Sequence, residues 1–184
     1  INLDGVERAV VEGNILIGNR ASGVAVFRQD GAIGSREVTV ARNLIVMPPG
    51  ARWALNFNRS EGGSQVESNV VVTQDGYRGI YDVKNSVPET SSAAAIESSP
   101  FRADNNAYYY RRNFAVFNGS THISLRQWQR QGEDKQSSFV SLTGAIGVGA
   151  GYRVELPPAV ARAVAAREVA SANPYRHLVD ATDE

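Results

Sequence analysis

Val10-Val11-Glu12-Gly13-Asn14-Ile15-Leu16-Ile17 returns as Val40-Ala41-Arg42-Asn43-Leu44-Ile45-Val46, and again as Val66-Glu67-Ser68-Asn69-Val70-Val71-Val72. The Asn positions are 29 and then 26 residues apart (43 − 14 and 69 − 43). After each Asn comes a short β-branched run, then a polar or Gly-containing turn. A second apolar segment follows, at Val24-Ala25-Val26-Phe27, Ala54-Leu55-Asn56-Phe57 and Ile80-Tyr81-Asp82-Val83. Repetition at a near-constant period sets the architecture and is read before local propensity.

A period of this length, built of short strands with no helix-length segment, fits one turn of a right-handed parallel β-helix. Leucine-rich repeats have the right length but need a Leu-x-x-Leu-x-Leu frame that is absent. Each coil of a β-helix lies about 4.8 Å above the last, so equivalent residues stack in columns. Asn suits the recurring corner, because it tolerates the left-handed conformation and its amide can bond the backbone or the next Asn.

Beyond Lys84 the period lapses. A fourth corner is expected at Asp104-Asn105-Asn106, 36 residues after Asn69 (105 − 69), which reads as one coil carrying an insertion. Ala115-Val116-Phe117-Asn118 and Phe139-Val140-Ser141-Leu142 read as strands, and Ser124 starts a short helical segment holding Leu125 and Trp128 on one face. From Pro157-Pro158 the grammar changes to a helix-forming run, Ala159 to Ala170, that Asn173-Pro174 stops. This run is expected to pack on the open end or the side of the solenoid. The fold class is therefore all-β, a parallel β-helix over residues 1–156 with a helical terminal extension over residues 157–184. The repeat is under way by Val10, so further coils upstream of Ile1 are expected as its covalent partner.

The net charge is zero and no run is strongly basic, which argues against nucleic acid as a partner. No apolar run approaches the roughly 20 residues of a membrane span. The absence of cysteine excludes a disulfide framework and a thiol nucleophile.

The Asn-anchored coils resemble the right-handed parallel β-helix repeat proteins, the group of pectate lyases, alginate lyases and epimerases, and phage tail depolymerases. The closing phrase Asp104-Asn105-Asn106-Ala107-Tyr108-Tyr109, then Trp128, then Gly132, Asp134 and Ser137 in a Gly-x-Asp-x-x-Ser element, is similar to the closing segment of many secreted carbohydrate-active members. The likeness stops near Phe139. It implies a secreted, periplasmic or cell-surface protein that acts on or binds an acidic polysaccharide. Related enzymes commonly hold calcium on loop carboxylates, but no carboxylate cluster here asks for one. The same scaffold carries lyases, hydrolases, epimerases and plain binders, so whether this chain is an enzyme stays open.

Offsets from the corner Asn show which residues stack. Arg52 and Arg78 share one offset, Asn56 and Asp82 another, and Asn58 and Lys84 a third. With Leu55, Phe57, Tyr81 and Val83 inward, Asn56, Asn58, Asp82 and Lys84 face outward by alternation. Val24 and Val26 sit at the competing parity and Ile80 is apolar where an outward residue is expected, so both phases remain open.

The chemistry that fits is β-elimination of a uronate polymer. Lys84 is the candidate base, Arg78 the carboxylate clamp and Tyr77 the acid, with Asp82 beside them. Arg52, Trp53, Asn56, Asn58 and Tyr109 are the candidate substrate-binding residues. Alternation sends Tyr108 and Tyr110 to one side and Tyr109 to the other, so at least one is core. A glycoside hydrolase would need two carboxylates, for which Asp75 and Asp82 are the available pair. Trp128 is expected in the core of the terminal segment, and Asp134 is expected to cap its loop by accepting backbone hydrogen bonds. His122 and His177 are too isolated for a metal site.

Overall fold

The computed structural model describes residues 1–74, 80–84, 101–111, 116–118, 121–142, 146–148 and 153–181. The chain winds in coils of three strands. The first holds β1 (Asn2–Asp4), β2 (Val10–Glu12) and β3 (Ile15–Ile17), and the second β4 (Val24–Phe27), β5 (Thr39–Ala41) and β6 (Leu44–Met47). The third holds β7 (Leu55–Asn58), β8 (Ser64–Glu67) and β9 (Val70–Thr73), and the fourth β10 (Tyr81–Lys84), β11 (Phe101–Asp104) and β12 (Ala107–Tyr110). A last, partial coil runs through β13 (Val116–Asn118), β14 (Thr121–Ile123), α1 (Leu125–Arg130) and β15 (Ser138–Ser141).

Strands one coil apart pair in parallel and build three sheets: β1-β4-β7-β10-β13, β2-β5-β8-β11 and β3-β6-β9-β12-β15. β14 turns back antiparallel on β13 and ends the first sheet. The architecture is thus the parallel β-helix that the repeat predicts.

Stacking puts like on like. Val11, Val40, Val66 and Ala103 form one inward column, and Leu16, Ile45, Val71, Tyr108 and Phe139 another. The two phases left open by the sequence resolve at β4, because Val24 and Val26 pair with Leu55 and Phe57. All four side chains are buried, so the second and third coils share a phase. Ile80 is also buried, at the start of β10 and packed in the same core.

Sheet three differs from the others in being buried on both faces, the condition under which a strand reads as a continuous apolar run. Its inner residues join the solenoid core, while Leu44, Val46, Val70, Val72, Ala107 and Tyr109 form a second core with the terminal extension. That extension comprises β16 (Gly147–Val148), β17 (Val154–Leu156), α2 (Pro158–Ala166) and β18 (Val179–Ala181). β17 pairs with β16 and β18 rather than with a coil, so the small sheet begins ahead of residue 157. Val160, Ala163 and Val164 of α2 face sheet three, so the helix covers the side of the solenoid rather than its end.

The expected helix to Ala170 stops earlier. After Ala166 the Glu168 N–H bonds Ala165 O and the Val169 N–H bonds Val164 O (3.1 and 3.0 Å), with Glu168 left-handed at φ 49°. This is a Schellman termination without its usual glycine, and Val164 and Val169, both buried, supply the apolar contact that accompanies it. The chain then runs down the corners of the solenoid. Arg167 Nε bonds Asn105 O (2.7 Å), the Ala170 N–H bonds Arg42 O (3.0 Å) and Asn173 Nδ2 bonds Gly13 O (3.0 Å).

The corners are held by an asparagine ladder. Asn43 Oδ1 accepts both the backbone N–H and the Nδ2 of Asn14 (2.9 Å each), and Asn69 Oδ1 does the same for Asn43 (3.0 Å each). Asn106 Oδ1 then receives both donors of Asn69 (2.9 and 3.1 Å). The second proton of each inner amide bonds a carbonyl of the preceding coil: Val11, Val40 and Val66. The fourth rung is therefore Asn106, 37 residues after Asn69 (106 − 69), and not Asn105. Nor is the ladder Asn left-handed: the residue before it is, at Gly13, Arg42, Ser68 and Asn105. The corner bends at that preceding residue, which frees the Asn side chain to point along the stack.

Candidate functional site

Sheet one carries its polar residues on the outer face, because the pleat sends Leu55 and Phe57 inward and Asn56 and Asn58 outward. Register places Asp82 beside Asn56 and Lys84 beside Asn58, the pairing expected from the offsets. On the other side of β7 lie Ala25 and Phe27 of β4. Each Asn buries its side-chain Oδ1 with no hydrogen-bond donor against it. Such an orphaned acceptor costs about 1 to 3 kcal/mol.

Arginines border this strip at both ends. At the start of the strands the Arg52 N–H bonds Arg20 O (2.9 Å), so these two residues stand on adjacent coils. At the far end, one step beyond the Phe27–Asn58 pair, Arg28 stands beside Arg59. All four are exposed, and among the described residues no carboxylate pairs with any of them. The stretch from Trp53 to Asn58, whose last four residues are β7, separates Arg52 from Arg59.

The corner between sheets one and two is handled differently. There Glu7, Arg36 and Glu61 alternate up the stack, with Arg36 3.0 Å from Glu7 and 3.8 Å from Glu61. The Arg36 guanidinium holds the Glu7 carboxyl below its ordinary value, and Glu7 raises Arg36 in return. Across the corner ladder, Arg42 pairs with Glu12. Among the described residues the arginines beside sheet one have no such carboxylate against them.

The remaining candidates fall as follows. Arg52 is exposed and Trp53 is partly buried. Tyr77 and Arg78, with Asp75, lie outside the described residues, and of Asp82 and Lys84 the backbone register alone is described. Tyr109 is packed under α2 with its hydroxyl donating to Ala159 O (2.8 Å), and burial raises its pKa. Its ring is covered by protein and offers no stacking surface to a sugar. Sequence reasoning passed over Arg20, Arg28 and Arg59. Their signal lies in the strand register, since the chain runs from Asn14 to β4 in 10 residues (24 − 14) and from Asn43 to β7 in 12 (55 − 43), which offsets arginines that are neighbours in space.

A second cluster of ionisable groups sits inside the last coil. Asp134, fully buried, accepts from Trp128 Nε1 (2.9 Å), Ser137 Oγ (2.6 Å), the Tyr108 hydroxyl (2.9 Å) and Asn106 Nδ2 (3.1 Å). Its partners are side chains, not the backbone N–H groups expected of a loop cap. Tyr81 and Tyr108 share a hydrogen bond between their hydroxyls. Burial raises the Asp134 pKa against the pull of these donors, and burial also raises Tyr81 and Tyr108 well above the ordinary tyrosine range. Trp128 lies in the core, as expected. Every partner of Asp134 is internal, so this cluster closes the fold and offers no groove.

No protein-family model, curated protein or solved structure matches the chain. The architecture and the sheet-one face are consistent with a solenoid module that binds carbohydrate or serves a structural role. Among the described residues no helix is long and apolar enough to cross a membrane, and no group of His, Cys, Asp and Glu side chains is placed to hold a metal ion.

Proposed function

We propose that the outer face of sheet one binds an acidic polysaccharide. The observation that carries this reading is the set of exposed arginines, Arg20 with Arg52 and Arg28 with Arg59, that stand at either end of the Asn56–Asn58 strip with no carboxylate paired to them among the described residues. A chain of uronate sugars offers the carboxylates that the exposed guanidinium forks lack. Such polymers are met outside the cytoplasm, so the reading carries a secreted, periplasmic or cell-surface setting with it.

Titration calorimetry with polygalacturonate and alginate tests it. Binding is expected to weaken as salt is added, and Arg52→Ala with Arg59→Ala to lower affinity roughly tenfold together, about 0.7 kcal/mol for each exposed contact. Equal binding of a neutral polymer such as dextran, or full affinity in the double variant, would sink the proposal.

The register of Lys84 and Asp82 in the same strip favours a second reading, β-elimination with Lys84 as the base. Arg78 would then neutralise the uronate carboxylate and Tyr77 protonate the leaving oxygen, within a superfamily of pectate-lyase type. Ultraviolet absorbance of the unsaturated product decides between catalysis and binding alone. Release of that product by the native chain, lost in Lys84→Ala while polymer binding persists, would establish the enzyme; its absence leaves the binding module.

A further inference from the structure

The asparagine ladder ends differently at its two ends. At the C-terminal end Asn106 gives its backbone N–H to Ser137 Oγ (2.8 Å) and its Nδ2 to Asp134 Oδ1 (3.1 Å), so every donor is met. At the N-terminal end Asn14 gives both donors upward to Asn43, and among the described residues nothing donates to its own Oδ1. In each rung above, that oxygen takes a backbone N–H and an Nδ2 from the Asn one coil earlier.

The apolar stack ends in the same way. Val26, Val38 and Ile45 of the second coil are each 0 % exposed, whereas Leu3, Ala9 and Leu16, which lie beneath them in register, are only partly buried. The free edges of β1, β2 and β3 belong to this rung too, since each is a terminal strand of its sheet.

We infer that the Asn2–Ile17 rung is a docking surface for one more parallel coil bearing Asn at its corner, supplied by polypeptide joined ahead of Ile1. The vacant Asn14 acceptor needs an N–H and an amide NH2 converging on one point, which a corner Asn delivers and a plain strand edge does not. A second copy of this chain cannot supply them, because its matching C-terminal surface is already filled by Asp134, Ser137 and α1. Ile1 already stands in line, its nitrogen 2.9 Å from Gly23 O and its position level with Val24 and Leu55. The missing Asn would therefore stand 10 to 12 residues ahead of Ile1, by the spacing of Val24 from Asn14 (24 − 14) and Leu55 from Asn43 (55 − 43).

Fusing a copy of Arg8–Gly23 directly ahead of Ile1 tests this, because it places the copied Asn at that distance. Amide exchange in Val10–Ile17 is expected to slow by about tenfold or more, with a higher denaturation midpoint. A fusion whose copied Asn is replaced by Ala should lose most of that protection. No added protection from the Asn fusion, equal protection from the Ala fusion, or protection of the unfused chain that rises with its concentration would each overturn the inference.

Discussion

The two ends of the solenoid meet the same problem with opposite outcomes. A stack of buried amides must hand its last donors and acceptors to something, and a stack of apolar rungs must be covered. At the C-terminal end the Gly132-Glu133-Asp134-Lys135-Gln136-Ser137 element and α1 do both. Asp134 and Ser137 take the place of an Asn, and Trp128 closes over Tyr81 and Phe101, with ring centroids 5.6 and 5.8 Å away. At the N-terminal end Asn14 has, among the described residues, an idle acceptor, and Leu3, Ala9 and Leu16 are only partly buried. A β-helix does not terminate by running out of strands; it needs a side-chain device that satisfies the ladder.

The largest effect should come from dismantling that device. Asp134→Ala strands the Trp128, Ser137 and Tyr108 donors together with Asn106 Nδ2 in the core. At about 1 to 3 kcal/mol for each stranded group the loss is about 4 kcal/mol or more. A urea midpoint within experimental error of the native one would show that the cluster is not the stack's terminus.

Next come the rungs themselves. Asn69→Ala takes the acceptor from the backbone N–H and Nδ2 of Asn43 and the Nδ2 donor from Val40 O, while Asn106 Oδ1 keeps the backbone N–H of residue 69. It is expected to cost about 3 kcal/mol, against about 1 kcal/mol for Asn14→Ala, which has no donor to lose on its open side. Denaturation of the two variants side by side measures the asymmetry directly, and equal losses would refute it. If the Arg8–Gly23 fusion docks as inferred, the cost of Asn14→Ala in that fusion should rise towards that of Asn69→Ala.

A pH dependence sharpens the contrast further. Burial raises Glu133 above its ordinary 4.5 and Asp134 above 3.8. Between those values and the raised ones the folded chain binds more protons than the unfolded chain, so their contribution to stability falls as the pH rises through that window. Near the N-terminal end the sign reverses. Asp4, held by the N–H groups of Gln29 and Asp30, and Glu7, held by Arg36, are both lowered, so what they contribute is lost as the pH falls. Glu133→Gln should flatten the first trend and leave the second, as thermal midpoints from acid to neutral pH would show; an unchanged slope counts against burial of Glu133 as the cause.

The smallest effect lies on the flank. Glu168→Gly relieves a left-handed non-glycine residue at the end of α2 and should stabilise the chain by about 1 kcal/mol. A loss of stability instead would mean that the Glu168 side chain supports the extension.

Much of this was legible in the repeat. Asn14, Asn43 and Asn69 located the corners, and the spacing that followed each gave the register of Asp82 and Lys84 against Asn56 and Asn58. The outward phase of Asn56 and Asn58, open in the sequence, is fixed only by the pairing of Val24 and Val26 with Leu55 and Phe57. The fourth corner was off by one residue, since Asn105 and Asn106 are both Asn and only the ladder tells which side chain points along the stack. Tyr108 and Tyr109 illustrate the same limit. Alternation separates their faces, but both are buried, one by the solenoid core and one by α2.

The sequence by itself determined the winding of the chain, because a repeat with strand-length apolar runs and a corner Asn has one economical way to bury its side chains and satisfy its amides. It also determined that a helix would follow the coils. The tertiary structure decided where that helix lies, which arginines stand together, and that Asp134 terminates the ladder. Those are matters of contact between residues whose offsets in sequence differ from coil to coil, and a loop two residues shorter is enough to hide them until the strands are in register.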